Sequence, residues 1–328
     1  MRDRDPVAIV LGGTEDLYDV AEWDSRSVID KLSVVVYTVL HGIKRYGLLA
    51  LALLFFVAQL AFAGLLVLEE PRLGFLAALS AVPAFLLVAY VWYDDPTRRE
   101  PIDALAITFV LAVLFASFAA AVNSVFQIVF SWIPVIGMAL FFFLVVGPIE
   151  ETVKWLAIRT HAYRRDDFDA VIDGAVYGAV AGLGFATIEN ALYITQGYQA
   201  AAEMAGVTQI ERAVGTATSR AFVGPGHVLY SAIAGYYLGL AKFNREHAGP
   251  IVVKGILIAA LIHATYNTLV TYLPAVLPVW NLFVSLGVIL GFDLIVGYFL
   301  YRKLSRYTSY YHRAEDESDA VGATAEDG

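Results

Sequence analysis

Cysteine is absent from all 328 residues, so a disulfide framework, a thiolate zinc site and a cysteine nucleophile are excluded. Charge is scarce too: Asp, Glu, Lys and Arg make up 16% of the chain, against about a quarter in soluble domains. The charge present leans acidic, with a formal net of −9, which argues against nucleic acid as a partner. Internal repeats and matched pairs of broken apolar segments, the marks of many transporters, are missing. No signal peptide is expected, because the opening MRDRDPVAIV is charged and leads into a polar stretch.

Apolar residues fill what the charges leave. They make up 59% of the chain, and the mean hydropathy is +0.66. That excludes an ordinary cytosolic enzyme and a disordered chain, and leaves a polytopic membrane protein. A hydrocarbon core about 30 Å thick takes roughly 20 apolar helical residues to cross. On that basis the sequence predicts an all-α transmembrane bundle of about eight spans, at 47–68, 73–93, 104–130, 135–158, 171–195, 221–241, 251–273 and 280–301.

Lys and Arg resist translocation, so their distribution sets orientation. Eighteen of the 22 fall in alternate loops and both termini, only Arg72, Arg212 and Arg220 in the opposite loops, and Lys154 within a span. Both termini are therefore expected on the cytoplasmic side of the cell membrane. Residues 1–46 read as a cytoplasmic segment, with an interfacial helix over 28–46. Residues 47–301 read as the bundle, with its catalytic core in 135–273, and 196–220 as one long external loop. Residues 302–328 read as a mostly disordered cytoplasmic tail, acidic over its last fifteen positions.

An ionisable group inside a span costs about 2.5–3.5 kcal/mol on insertion scales, so each one calls for a reason. The first three spans hold little beyond Asn123 and Gln127. The next four hold Glu150, Glu151 and Lys154 in GPIEETVKWLA, Asp173 and Glu189-Asn190, His227 in GPGHVLYS, and His263 with Asn267 in IHATYN. Asp169 and Asp173 read as helix-start residues, and Asp293 has no partner legible in sequence. Residues four apart share a helix face. Gly174, Gly178 and Gly182 thus lead to Glu189, Ser231, Gly235 and Gly239 lie below His227, and Gly255 and Ala259 lead to His263. Stripes of small residues let membrane helices approach closely, so the polar groups should face one another and not lipid.

Peptide hydrolysis wants an activated water, an acid/base group and a donor for the oxyanion. Two histidines and a carboxylate form a zinc-type ligand set with an open position. His227 and His263 would supply the imidazoles, Glu150 or Glu151 the base, and the Asn267 amide a hold on the scissile carbonyl. The bland alternatives are an i,i+4 ion pair of Glu150 with Lys154 and interhelical hydrogen bonds for Glu189 and the histidines.

These motifs resemble the PrsW-type intramembrane peptidases, within the superfamily of CAAX-processing and bacteriocin-processing membrane proteases. The double glutamate with its lysine, FATIEN, the histidine of GPGH and HATYN occur in the family's order, each on a predicted span, and DDPTRREP at 94–101 resembles its acidic, proline-containing loop. The resemblance covers about residues 73–300. It implies a metallo- or glutamate-type endopeptidase that cleaves a membrane-anchored protein within or near the bilayer. It marks Glu150 and Glu151 as the motif that supplies the base, and Asn267 as the family asparagine. It marks His227, His263 and Glu189 as metal ligands, with zinc as the expected ion. The founding type implies a substrate like an anti-sigma factor. An ion- or proton-coupled transporter and a non-catalytic membrane scaffold are the rival readings.

Overall fold

The computed structural model describes residues 5–41, 70–203 and 206–326, together with Val57 and Leu68. The span expected at 47–68 lies almost wholly outside these residues. The described chain is helical, with no β-sheet. In chain order it runs α1 (Pro6–Leu11), α2 (Val28–His41), α3 (Pro71–Ser80), α4 (Val82–Tyr93), α5 (Ile102–Ser131), α6 (Gly137–Phe141), α7 (Gly147–Thr160), α8 (Asp173–Ala200), α9 (Gln209–Phe243), α10 (Ala248–Val276) and α11 (Leu282–Glu326).

Five stretches among the described residues are long and apolar enough to cross a membrane: Pro71–Tyr93, Ile102–Ser131, Asp173–Glu203, Arg245–Val276 and Leu282–Ser318. Helices α6, α7 and α9 are not among them. α6 and α7 are five and fourteen residues long, and α7 and α9 carry Glu150, Glu151, Lys154, Arg220 and His227, polar residues that lower their hydropathy.

Two expectations about connections are corrected. The long external loop at 196–220 is mostly helix: α8 continues to Ala200, and α9 begins at Gln209 behind Thr208. Thr208 and Glu211 form a reciprocal capping box there, satisfying backbone donors that a helix end would leave bare. The tail, expected to be disordered, is helical as far as Glu326. Burial of Tyr307 and Ala314 against the rest of the molecule anchors this extension.

Helices α8 and α9 make the most extensive pairing among the described residues, because glycines let their backbones touch. A Cβ added at Gly178 would lie 2.2 Å from the Ser231 carbonyl oxygen, and one at Gly235 only 2.0 Å from that of Gly174. Side chains of ordinary size cannot fit this seam. It draws Glu189 and His227 to the same level.

The N-terminal segment docks on the ends of α9, α10 and α11. Lys254 pairs with Asp19 at 2.9 Å and Asp30 at 2.7 Å, and Lys303 pairs with Asp19 at 2.8 Å. Burial pushes the Asp30 carboxyl up, but hydrogen bonds from Lys254, Tyr18 and Ser27 outweigh it and hold it down to about 2. Asp5 caps α1 and also accepts from the Val171 amide and the Tyr307 hydroxyl.

Candidate functional site

The chain enters α7 through a π-helical turn, Phe142–Val146. Pro148 follows it, and without an N–H it cannot continue a regular α-helical ladder. Such wide turns reset the direction of the side chains that follow. Here those side chains are Glu150, Glu151 and Lys154, all fully buried.

Glu150 and Glu151 are neighbours in sequence but meet different partners. Glu150 Oε1 accepts from the Asn123 amide of α5 at 2.8 Å, while its Oε2 is buried with no hydrogen-bond partner. Glu151 Oε1 binds Lys154 Nζ at 2.6 Å and His263 Nδ1 at 3.0 Å. His263 Nε2 then lies 3.7 Å from Glu150 Oε2. His227 on α9 is held in a parallel way, with its Nδ1 3.1 Å from Lys154 Nζ and its Nε2 2.8 Å from Glu189 Oε2. Phe185 stacks on the His227 ring, centroids 5.6 Å apart, and Lys154 Nζ lies 4.4 Å from the centroid of the same phenyl ring. Each imidazole is therefore fixed through Nδ1 and presents Nε2 to a carboxylate.

Glu189 is also paired with Arg220, whose Nε donates to Asn190 Oδ1 at 2.8 Å. Asn190 donates onward to Ser80 Oγ at 3.0 Å, tying α8 to α3. Sequence reasoning missed Arg220, having put it in an external loop, and gave Asn123 no role. Arg220 lies seven residues before His227, two helical turns along one face, and the Thr208–Glu211 cap shows that the helix starts early enough to include it.

Glu150, Glu189 and His227 line a cavity of about 500 Å³, together with Asn123, Arg220 and Asn267. Asn267 sits one turn beyond His263 on α10. Glu151 and Lys154 are not on its wall. One ligand atom each from Glu150, His227 and His263 falls within 4.8 Å of the other two. Neighbouring ligands of a tetrahedral zinc, bonded at about 2.0–2.2 Å, lie about 3.3–3.5 Å apart. The Glu150–His263 separation is close to that. Two buried carboxylates, Glu150 and Glu151, and the partly buried Glu189 here face two cations, Lys154 and Arg220. Glu150 Oε2 and Glu151 Oε2 are both buried without a partner, and of the two residues only Glu150 lines the cavity. The residues present fit a divalent ion.

Residues 100–296 match the family described as PrsW family intramembrane metalloprotease. The chain belongs to the PrsW family. "Protease PrsW" of Shouchella clausii is 30% identical over 199 residues, covering 58% of this chain and 80% of that one. "Protease PrsW" of Bacillus subtilis is 31% identical over 199 residues, with the same two coverages. The protein of that name from Geobacillus kaustophilus is 29% identical over 201 residues, covering 59% of this chain and 79% of its own length. No solved structure matches. The chain is a multi-pass membrane protease, and all four motifs that pointed to this family fall within the matched residues.

Proposed function

We propose that Glu150, His227 and His263 hold a zinc ion, and that a peptide bond of a membrane-anchored protein is hydrolysed beside them. The observation that carries this reading is the orphaned Glu150 Oε2 facing His263 Nε2 at 3.7 Å, with His227 within reach of both. The bound ion would supply Lewis-acid charge that makes water nucleophilic near neutral pH.

The chain's own groups do the rest. Glu151 accepts from His263 Nδ1–H, orienting that imidazole and leaving its Nε2 for the ion. Lys154 Nζ can only donate, so an ion on His227 Nε2, which puts the ring proton on Nδ1, would release the Lys154–His227 contact. With His227 Nε2 committed to an ion, Glu189 Oε2 would lose that N–H and keep Arg220 as its partner, leaving one lone pair to accept on the cavity wall. It takes the proton of the attacking water and returns it to the leaving amine nitrogen. The Asn267 amide donates to the carbonyl oxygen as negative charge builds there. A second reading exchanges the two carboxylates, with Glu189 as ligand beside His227 and Glu150 as base. The 2.8 Å contact of Glu189 with His227 Nε2 favours that exchange.

Metal content and cleavage, measured together on purified Glu150→Gln and Glu189→Gln, test the assignment. Glu150→Gln should lose both zinc and cleavage, and Glu189→Gln should keep zinc and lose cleavage. The reverse pattern supports the exchange. Full cleavage in both variants sinks the proposal.

We further propose eight spans with both termini cytoplasmic, which the loop-by-loop bias of Lys and Arg supports. The substrate is proposed to be like an anti-sigma factor, reached through the bilayer, on the strength of the family resemblance alone.

A further inference from the structure

A second group of buried acids lies far from the cavity. Asp95 and Glu100 belong to the turn between α4 and α5, and Asp173 opens α8, about 24 Å along that helix from Glu189. One carboxylate oxygen of each falls within 4.8 Å of the other two. All three residues are buried, Asp95 at 9% exposure, Glu100 at 1% and Asp173 at 0%.

The loop around them is already shaped. Asp95 Oδ1 accepts from the Thr97 amide and hydroxyl, each at 2.7 Å, and Trp92 Nε1 donates to the Glu100 carbonyl at 3.3 Å. Asp173 Oδ2 accepts the Asp169 and Ala170 amides at 2.7 and 2.9 Å. What these bonds leave over points inward. Both Glu100 carboxylate oxygens and Asp95 Oδ2 are buried with no hydrogen-bond partner. Asp173 Oδ1 has only a 3.4 Å contact from the Thr97 hydroxyl.

No lysine, arginine or histidine among the described residues forms an ion pair with any of the three. Nearby cations are used elsewhere: Lys242 donates to the Tyr163 and Arg165 carbonyls, and Arg165 pairs with Asp103 and Asp167. An unpaired buried carboxylate costs several kcal/mol. Three together, with free oxygens converging, form a cage that lacks its positive charge.

We propose that Asp95, Glu100 and Asp173 hold a hard divalent cation of the calcium, magnesium and manganese class. The donors are all oxygens, with no imidazole or thiolate, which suits those ions and not zinc. Such an ion fastens the 94–101 turn to the first turn of α8, the helix that carries Glu189. The rival arrangement is a proton shared between Asp95 and Glu100, which needs no ion.

The full-length protein in detergent, carrying His227→Ala and His263→Ala to remove the other site's imidazoles and stripped with EDTA, is titrated with Mn2+. Binding is read from the electron paramagnetic resonance signal of free Mn2+. Saturable uptake of one ion is expected, and it should be lost when Glu100→Gln or Asp95→Asn is added. Calcium should raise the unfolding temperature of the parent chain but not that of Glu100→Gln. Both substitutions keep side-chain size, and a monodisperse gel-filtration peak identifies folded protein. The proposal is overturned if no Mn2+ binds, or if Glu100→Gln and Asp95→Asn both bind it as the parent does. A shared proton would produce the first result.

Discussion

Adjacent glutamates on α7 divide their labour by where their free oxygens point. Glu150 lines the cavity, while Glu151 spends its Oε1 on Lys154 and His263 and lies off the cavity wall. Glu151 therefore acts on the reaction only through the imidazole it holds. Replacing it with glutamine should lower metal affinity or cleavage by about 10–100-fold, the usual cost of losing an orienting partner. Cleavage kinetics together with zinc content check this, since a purely structural role would lower the unfolding temperature and leave the specific activity of folded protein intact. Glu150, Glu151, Glu189, His227, His263 and Asn267 were legible in the sequence because ionisable and amide groups stand out against apolar spans. Asn123 and Arg220 were not given roles. An asparagine in a span has many uses, and Arg220 lay in a stretch polar enough to read as loop.

At the scale of elements, the seam between α8 and α9 sets the site's geometry. It brings backbone against backbone at Gly174, Gly178, Gly182, Gly235 and Gly239, with no flexible side chain available to yield. Gly235→Ala should cost about 1–3 kcal/mol through overpacking. Thermal unfolding in detergent should show that loss, whereas Gly287→Ala, where an added Cβ meets nothing, should leave stability nearly unchanged. The stripes themselves were readable from four-residue spacing. Helix ends were harder: composition marked 196–220 as polar and 302–328 as acidic, yet both are largely helical. A capping box at Thr208 and buried contacts from Tyr307 override the polarity, and only the capping box has a sequence signature.

At the scale of the whole molecule, the N-terminal segment joins three helices at one end of the bundle through Asp5, Asp19 and Asp30. Asp30 has a folded-state pKa near 2, below its ordinary value, so its stabilisation is present above about pH 4 and is lost as pH falls toward 2. Burial raises Asp5 to about 6, so its contribution runs the other way, being full in acid and lost as pH rises through that value. Hydrogen exchange of residues 5–41, corrected for the intrinsic pH dependence of amide exchange, should therefore quicken between about pH 4 and pH 2 in the parent chain. In Asp30→Asn it should already be fast at neutral pH, and an acid response unchanged by that substitution would show that Asp30 does not hold the segment. The approach of Asp95 and Glu100 to Asp173 was invisible in sequence, since it joins a turn to a helix start more than seventy residues away.

The glycine seam also limits how this chain can drift over generations. A position that rejects a methyl group rejects every residue but one, whatever its polarity or charge. Change along α8 and α9 is thus policed by volume, while exposed apolar positions on other helices, such as Phe75, Val129 and Leu294, are free to exchange one greasy residue for another. Relatives too distant to align by overall likeness should still betray themselves by paired rows of the smallest residue, spaced four apart, leading toward an acid on one helix and an imidazole on the next.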